Sequence, residues 1–331
     1  MDPQLEKLGR AVLDGRNLSA DELRQAVHAA SDDPIDLFYW SWQVRKKHFG
    51  RKVRLCSIAP GKIGGCSEDC KWCAQSSHSD SGRGPARRSS TEDIRQSAIQ
   101  ARKHEATSFG IVNSGRYPTE EDFQAVIDAA RAIQDNPHDQ HPQVCASLGE
   151  LTEHQARRLY DAGIRRYNHN LETSRRYFNH VVSTHAYDDR LATLNACKKA
   201  GLGLCCGGLF GMGETWDDRI DLALTLRDKV QPDVAPLNFL NPIDGTPLGT
   251  SKPLPAMEAL QVVAIFRLAL PQVDLKLAGG REINLRACQS WIFHAGATSF
   301  LVGNYLTTFG QDPAADHQMI RDLGFEVVSH W

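Results

Sequence analysis

Short apolar runs alternate with longer amphipathic segments along most of the chain. From residue 52 onwards, eight of these runs have the length and composition of buried strands: 52–58, 107–113, 143–148, 164–170, 202–210, 233–239, 273–279 and 298–303. The segments between them carry helix start signals, such as Thr119 before EEDFQAVIDAA, and Thr152 with Gln155. Because these crossovers are too long for hairpins, the strands are expected to be parallel. The pattern predicts an α/β fold, a (β/α)8 barrel of the TIM type.

The first fifty residues have a different pattern, which predicts helices. Ser19 and Glu22 fit a capping box, and segment 34–49 is amphipathic and rich in aromatic residues. We therefore expect an N-terminal helical extension over 1–50, a single barrel domain over 51–325 and a C-terminal tail over 326–331. Segment 78–90 is rich in Ser, Gly and Arg, and this composition fits a lid and a solvated connection equally well.

Polar residues follow several of the predicted strands. In such barrels the catalytic groups come from the C-terminal ends of the strands and the loops after them. Asn168 and Asn170 close the fourth predicted strand, Asn238 closes the sixth, and Arg281 follows the seventh. A cysteine-rich loop follows the first. The sequence thus predicts that these polar residues collect at one end of the barrel, where the strands end.

Composition excludes several classes of protein. The chain has 331 residues, 41% hydrophobic and 24% charged, with a formal net charge of -2. This balance gives no electrostatic footprint for nucleic acid or for an anionic membrane. The polar N-terminus lacks a secretory layout, and no apolar run approaches the roughly 20 residues that a membrane helix needs. We expect a soluble, cytoplasmic protein.

The chain contains nine cysteines, an odd number spread over a long sequence with no export signal. A disulfide framework is therefore disfavoured, and metal or redox use is favoured. Cys56, Cys197 and Cys288 are isolated, and we interpret them as small buried apolar residues.

The sequence GGCSEDCKWCAQSS places Cys66, Cys70 and Cys73 within eight residues. A structural zinc site normally has four protein ligands, often as two C-x2-C pairs, but the sequence contains no second pair. Soft thiolates on a loop also suit an iron–sulfur cluster. Three ligands on a four-iron cube leave one iron open, as a catalytic centre requires. The motif therefore favours a 4Fe-4S cluster with an open iron.

The C-x3-C-x2-C spacing, with Trp72 just before the last cysteine, resembles the radical S-adenosylmethionine superfamily. This resemblance implies that the open iron binds S-adenosylmethionine beside Trp72. One electron then cleaves the sulfonium to methionine and a 5′-deoxyadenosyl radical, which removes hydrogen from an unactivated C–H bond. The cofactor supplies this difficult step, and the protein positions it and excludes water.

Two further stretches resemble the nucleoside site of the same superfamily. GGLFGMGE is similar to the superfamily motif G-x-I-x-G-x-x-E near the adenine, with Leu in place of Ile. This similarity implies that Gly211 and Gly213 bind the cofactor. In YNHNLETS, Asn170 and Glu172 match ribose contacts, with Glu172 at a position that is usually Asp.

Within the superfamily, most of residues 35–325 resembles the biotin synthases. The matching stretches are CSEDCKWCAQSS, IVNSGR, YNHNLETS, GGLFGMGET, NFLNPIDGTPL, LAGGREINL and GNYLTT. The resemblance implies insertion of sulfur between two saturated carbons of dethiobiotin, with the sulfur drawn from a second, 2Fe-2S cluster. It also implies that the amides of Asn170 and Asn238 bind the ureido ring, and that the partners are a flavodoxin or ferredoxin electron donor and a second copy of the chain.

The same resemblance implies Cys145, Cys205 and Arg281 as ligands of the 2Fe-2S cluster. Without the resemblance, an ion pair at the barrel mouth is the favoured interpretation of Arg281. The family's third cysteine falls where this sequence has Gly110, which cannot ligate. Cys206 is an apparent replacement, but neighbours on a strand point to opposite faces, so it is expected to face the helices unless a bulge re-aims it.

Gly110 keeps a second enzyme hypothesis open. A biotin-synthase-like radical enzyme without sulfur insertion, such as a mutase or a maturation enzyme, predicts deoxyadenosine without sulfur in the product. A third hypothesis, a non-catalytic iron–sulfur carrier, predicts a cluster whose spectrum ignores added S-adenosylmethionine.

Overall fold

The computed structural model describes residues 1–81, 84–135 and 141–328. The first fifty residues form the three helices α1 Pro3–Leu13, α2 Ala20–Ala29 and α3 Ile35–Phe49. Ser19 and Glu22 form the predicted capping box at the start of α2. The helical character predicted for this segment is confirmed.

Eight strand positions close into a parallel barrel, as the alternating pattern predicts. In chain order the strands are β1 Lys52–Ile63, β2 Arg87–Arg88, β3 Ser108–Asn113, β4 Gln143–Ser147, β5 Arg166–Asn168, β6 Gly203–Cys205, β7 Gly208–Phe210, β8 Val234–Phe239, β9 Asp274–Leu277, β10 Ser299–Leu301 and β11 Glu326–Val327. Strands β2 and β11 lie outside the barrel, and β6 and β7 share one barrel position. The barrel closes because β10 pairs with β1.

The predicted strand 202–210 is two short strands, β6 and β7, which keep the same register against β8. Cys205 pairs with Val234 before the break, and Gly208 pairs with Leu237 after it. At Gly207 the chain lies so close to β8 that an added Cβ would stand 1.9 Å from the carbonyl oxygen of Pro236. Only glycine permits this approach.

Helices surround the barrel in the (β/α)8 manner. Their bounds are α4 Thr91–Lys103, α5 Glu120–Gln134, α6 Glu153–Asp161, α7 Arg175–Val181, α8 Tyr187–Lys199, α9 Trp216–Thr225, α10 Ala256–Ala269, α11 Arg281–Leu285 and α12 Pro313–Asp322. A π-helical turn, Leu226–Val230, extends α9, and a 3-10 segment, Arg286–Ile292, follows α11. Thr119 caps α5, and Thr152 forms a capping box with Gln155 at α6, both as predicted.

Two segments outside the barrel differ from simple loops. Strand β2, inside the predicted loop 78–90, pairs antiparallel with the end of β1, while residues 82 and 83 lie outside the described residues. In the predicted tail, β11 pairs parallel with Lys52–Val53, so the chain continues into the sheet to Val327. The tail prediction is corrected there, and residues 329–331 lie outside the described residues.

The base of the barrel is filled by a charged plug, which we define as Arg54, Asp274, Thr298 and Ser299. Arg54 pairs with the buried carboxylate of Asp274, which also accepts hydrogen bonds from the hydroxyls of Thr298 and Ser299 at 2.7 and 2.6 Å. Beneath it, Arg45 of α3 donates to the carbonyls of Ala297 and Lys52. Helix α3 therefore covers the N-terminal ends of β1 and β10.

In the described part of the chain, no helix combines the length and apolarity required to cross a membrane.

Candidate active site

A cavity of about 340 Å³ lies in the barrel lumen. Residues two apart on each strand reach it, because successive side chains of a strand point to opposite faces. The lining pairs include Cys56 and Ile58, Gly110 and Val112, Cys145 and Ser147, Arg166 and Asn168, and Lys276 and Ala278. Above these strands, Trp72 and Cys73 of the cysteine loop contribute to the same wall. The cavity thus joins the loop to the barrel interior.

The cysteine loop is a compact turn that returns on itself. Gly64 and Gly65 leave β1 with φ of 78° and 59°, a region that favours glycine. The backbone of Cys66 then pairs with the returning chain, receiving a hydrogen bond on its carbonyl from the Ser77 amide at 2.7 Å. Between these ends, the Cys73 amide donates to the Cys70 carbonyl at 3.0 Å. The backbone therefore holds the three cysteines on one small scaffold.

Two acidic residues inside the motif fasten this loop to the segment after α7. The carboxylate of Asp69 accepts hydrogen bonds from the backbone amides of Ser183 and Thr184 at 2.9 and 3.2 Å. The buried carboxylate of Glu68 bonds the Thr184 hydroxyl at 2.7 Å and the imidazole of His185. These contacts fix the loop to the body of the protein.

The three thiols affect one another electrostatically. Burial raises the pKa of the Cys70 thiol, and the nearby thiols of Cys73 and Cys66 raise it further against the opposing effect of Arg190. Burial also raises the pKa of Cys73. Crowded thiols of this kind lose their protons when metal binds. Three soft thiol donors on one loop are the ligand type that an iron–sulfur cluster takes.

Asn170 and Glu172 lie on the wall beside the loop. The Asn170 side-chain oxygen accepts from the Gly207 amide at 3.2 Å, and its carbonyl accepts from Arg190 at 2.7 Å. Glu172 has a φ of 67°, and its carboxylate lies 3.7 Å from Arg190. Burial raises the pKa of Glu172, whereas Arg190 opposes that shift. A left-handed glutamate is uncommon, and such strain concentrates at functional sites.

Gly211 and Gly213 form a turn that Glu214 organises. The Glu214 carboxylate accepts from the amides of Gly211 and Met212 at 3.0 and 2.8 Å. Gly211 and Gly213 have φ of 95° and 102°. Neither glycine lines the cavity, whereas Leu209 of the same stretch does. The structure shows a conformational reason for these glycines and leaves their cofactor contact a prediction.

Asn238 lines the cavity, but most of its amide is already engaged. Its side-chain oxygen accepts from the Gly279 amide at 2.9 Å, and its nitrogen donates to the Gly208 carbonyl at 3.1 Å. A primary amide has two N–H donors, so one remains for a ligand. Asn238 therefore links β8 to its neighbours and presents a single donor to the lumen.

At the closed end of the cavity lies a second group of thiols. Cys145 and Cys205 both line the lumen, and Cys56 lies with them. Burial raises the pKa of Cys145 to about 11, with Arg166 opposing and the neighbouring thiols adding to the shift. Cys206 packs in the apolar core and does not line the cavity, as expected for the strand neighbour of Cys205.

Sequence comparisons agree with this geometry. The model of the Radical SAM superfamily matches residues 62–226, and that of the Biotin and Thiamin Synthesis associated domain matches 236–326. A biotin synthase of Trichlorobacter lovleyi is 42% identical over 328 residues, covering 99% of this chain and 97% of the relative. The chain belongs to the biotin synthase family. A biotin synthase of Nitratidesulfovibrio vulgaris is 43% identical over 316 residues, covering 93% of this chain and 86% of its own length.

Solved structures support the fold. Methylornithine synthase superposes with a TM-score of 0.83 at 17% identity, covering 97% of both chains. A maturase of the FeFe-hydrogenase gives 0.82 at 14% identity, covering 99% of this chain and 76% of its own. At these identities the likeness establishes the architecture alone. Membership of the biotin synthase family implies a 4Fe-4S cluster and S-adenosylmethionine as cofactors, and dethiobiotin as substrate.

Arg281 does not lie beside Cys145 and Cys205, where a third ligand of their cluster is expected. Its guanidinium donates to both carboxylate oxygens of the buried Asp316, at 2.9 and 3.0 Å, and it stacks over Phe300. It does not line the cavity. This placement contradicts the predicted ligand role, because the bidentate ion pair already occupies the cation. Arg281 joins α11 to α12.

The basic residue that does reach the thiols is Lys276. Its Nζ lies 3.4 Å from the sulfur of Cys205 and 3.6 Å from that of Cys56. Sequence reasoning missed Lys276. It interpreted Cys56 as a small buried residue, and Cys56 is buried, but it also lines the cavity beside Lys276. The missed signal is strand alternation: Lys276 precedes the lumen-facing Ala278 by two residues, and Cys56 precedes Ile58 by two.

Proposed function

We propose that this chain inserts sulfur between two saturated carbons of dethiobiotin to form biotin. The observation that carries this proposal is one lumen with cysteines at both ends, the loop group at the mouth and a second group at the floor. When bound, the 4Fe-4S cluster and S-adenosylmethionine supply a 5′-deoxyadenosyl radical able to remove hydrogen from unactivated C–H bonds.

The loop cysteines Cys66, Cys70 and Cys73 hold the cluster in this proposal. Their contribution is soft coordination with one open position, and the contribution of Glu68 and Asp69 is to keep the loop fixed to the barrel. Fixed ligands matter because the reacting groups must be held in a near-attack geometry.

The wall beside the loop binds S-adenosylmethionine. Trp72 offers an aromatic face, and Asn170 with Glu172 offers polar groups suited to ribose hydroxyls. Arg190 lies against both residues, so it orients them and balances the Glu172 charge. Gly211 and Gly213 support the same wall through the turn that follows β7.

Asn170 and Asn238 bind the ureido ring of dethiobiotin. A urea has both donors and acceptors, and the remaining N–H of Asn238 is matched to its carbonyl oxygen. The lower wall near this amide is mostly apolar, with Ile58, Val112 and Leu301. An apolar lining excludes water and leaves a reactive carbon radical no competing partner.

The sulfur comes from a second, 2Fe-2S type cluster at the floor, with Cys145 and Cys205 as ligands. Support comes from their position at the closed end of the lumen, beyond the mouth where the substrate enters. A donor placed there lies on the far side of the substrate from the radical source.

The test is product formation by the full chain after anaerobic reconstitution with iron and sulfide. Incubation with a reductant, S-adenosylmethionine and dethiobiotin is expected to yield biotin and 5′-deoxyadenosine, measured by mass spectrometry. Cys70→Ala is expected to yield neither, and Cys288→Ala, which changes a cysteine outside the cavity, is expected to yield both. Deoxyadenosine without biotin in the wild type would overturn the proposal in favour of a radical enzyme lacking sulfur insertion.

We also propose a flavodoxin or ferredoxin as electron donor, a homodimer and a cytoplasmic location. All nine cysteines are free thiols, which suits a reducing compartment. Light scattering on the purified chain tests the dimer, and turnover with each reduced donor protein tests the electron source.

A further inference from the structure

Three thiols and a lysine from four different strands meet at the floor of the lumen. Cys56 comes from β1, Cys145 from β4, Cys205 from β6 and Lys276 from β9. The ammonium nitrogen of Lys276 lies between the sulfurs of Cys205 and Cys56, at 3.4 and 3.6 Å. The side chain of Cys145 lines the same cavity as these three side chains. Together these side chains form the floor group.

The strand register explains why Cys56 belongs to this group. Gly110 pairs with Cys145 on one side and with Ile58 of β1 on the other. Cys56 is the next lumen-facing position of that same neighbouring strand, two residues before Ile58. Position 110 on β3 has no thiol, but the neighbouring strand β1 supplies the thiol of Cys56.

Two cationic side chains, Lys276 and Arg166, reach the floor of the lumen. The ammonium group of Lys276 contacts the thiols of Cys205 and Cys56, and Arg166 reaches the same cavity from β5. Among the described residues, the buried Nε of Arg166 has no hydrogen-bond partner. Buried cations and unpaired donors are costly unless an anion compensates them. The floor is therefore built to receive an anion.

We infer that Cys56 is the third thiolate ligand of the iron–sulfur cluster at the floor, and that Lys276 positions this cluster from β9. The inference rests on the proposed function, since it names the ligands of the proposed sulfur donor. Each of the three thiols releases its proton on binding iron, and no electron is transferred in this step. The resulting anionic cluster meets the two cations of the floor.

Lys276 acts through charge in this arrangement. A cation beside a cluster stabilises its more negative, reduced state and so raises its reduction potential. Neutralising the cation is therefore expected to lower the potential of the floor cluster and to leave the loop cluster unchanged.

The test uses anaerobically reconstituted full-length protein, with Mössbauer spectra and sulfide content as readouts. Wild type is expected to show two clusters, and Cys56→Ser is expected to lose the floor cluster and keep the loop cluster. Cys206→Ala, which changes the neighbour of Cys205 on the opposite face of its strand, is the matched control and is expected to keep both. Cys56→Ser combined with Gly110→Cys is expected to regain the floor cluster, since an added Cβ at Gly110 meets only the Ile58 methyl, at 3.2 Å, and the Ser57 carbonyl, at 3.9 Å.

The outcomes separate this inference from the proposed function. A wild type with the loop cluster alone would overturn both. A second cluster that Cys56→Ser leaves unchanged would overturn the Cys56 assignment and leave the proposed function standing.

A second variant tests the Lys276 part of the inference independently of whether Cys56→Ser folds. Lys276→Met is expected to lower the midpoint potential of the floor cluster in a redox titration, and Lys276→Arg is expected to restore it. An unchanged potential in Lys276→Met would overturn the role of Lys276, because a merely structural lysine leaves the potential where it was.

Discussion

The loop at the mouth and the group at the floor both gather three cysteines, but they are assembled differently. The loop cysteines lie within eight consecutive residues and are held by local backbone hydrogen bonds and two carboxylates. The floor cysteines come from strands far apart in the chain, and only the barrel register brings them together. A local motif can be recognised in the sequence by its spacing. A site assembled by strand register can be recognised only in the folded structure.

The largest expected effect comes from breaking the loop. Cys70→Ala removes one of three ligands, so the loop cluster and all 5′-deoxyadenosine formation should be lost. Iron analysis and mass spectrometry measure both. Full cleavage activity in this variant would show that the loop is not the radical source.

Breaking the floor should separate the two regions. Cys145→Ala is expected to abolish biotin formation while S-adenosylmethionine cleavage continues, because the loop ligands are untouched. The measurement is the ratio of biotin to 5′-deoxyadenosine. Parallel loss of both products in a folded variant would mean that the two ends do not act independently.

A stability experiment sharpens the assignment at the floor. Arg281→Lys loses the bidentate contact with Asp316, and this should lower the free energy of unfolding by about 1.5–3 kcal/mol, as for hydrogen bonds to charged groups. The Mössbauer spectrum should be unchanged, because Arg281 does not reach the thiols. Altered floor-cluster parameters would restore Arg281 as a ligand.

The smallest effect is expected beside the loop. Trp72→Ala should raise KM for S-adenosylmethionine about 2- to 10-fold, the equivalent of an aromatic contact of ~0.5–1.5 kcal/mol. Trp72→Phe should retain most of the affinity. Equal KM values in both variants and wild type would remove Trp72 from the cofactor wall.

Periodicity was sufficient for the barrel because each strand carries its own apolar pattern. It placed the strands that became β3 to β5 and β8 to β10 to within two residues at either end. It missed the break between β6 and β7, where Gly207 lies against Pro236 of a separate strand. Tertiary packing decides such features.

The floor shows where reasoning from residue type fails. Two basic residues, Lys276 and Arg281, stand five positions apart around the end of β9, and composition cannot say which one points inward. The strand places Lys276 in the lumen, whereas Arg281 begins a helix and meets Asp316. The same holds for Cys56, because the residue type of a lone cysteine on a strand does not show whether its side chain faces the lumen or the helices.

The charged plug beneath the floor limits access to the lumen to its open end. Arg54 and Asp274 seal the lumen two residues below Cys56 and Lys276, and α3 lies under that seal. Iron and sulfide that reach the floor must therefore enter through the same opening as dethiobiotin. Assembly of the floor cluster and binding of substrate therefore use the same entrance to the lumen.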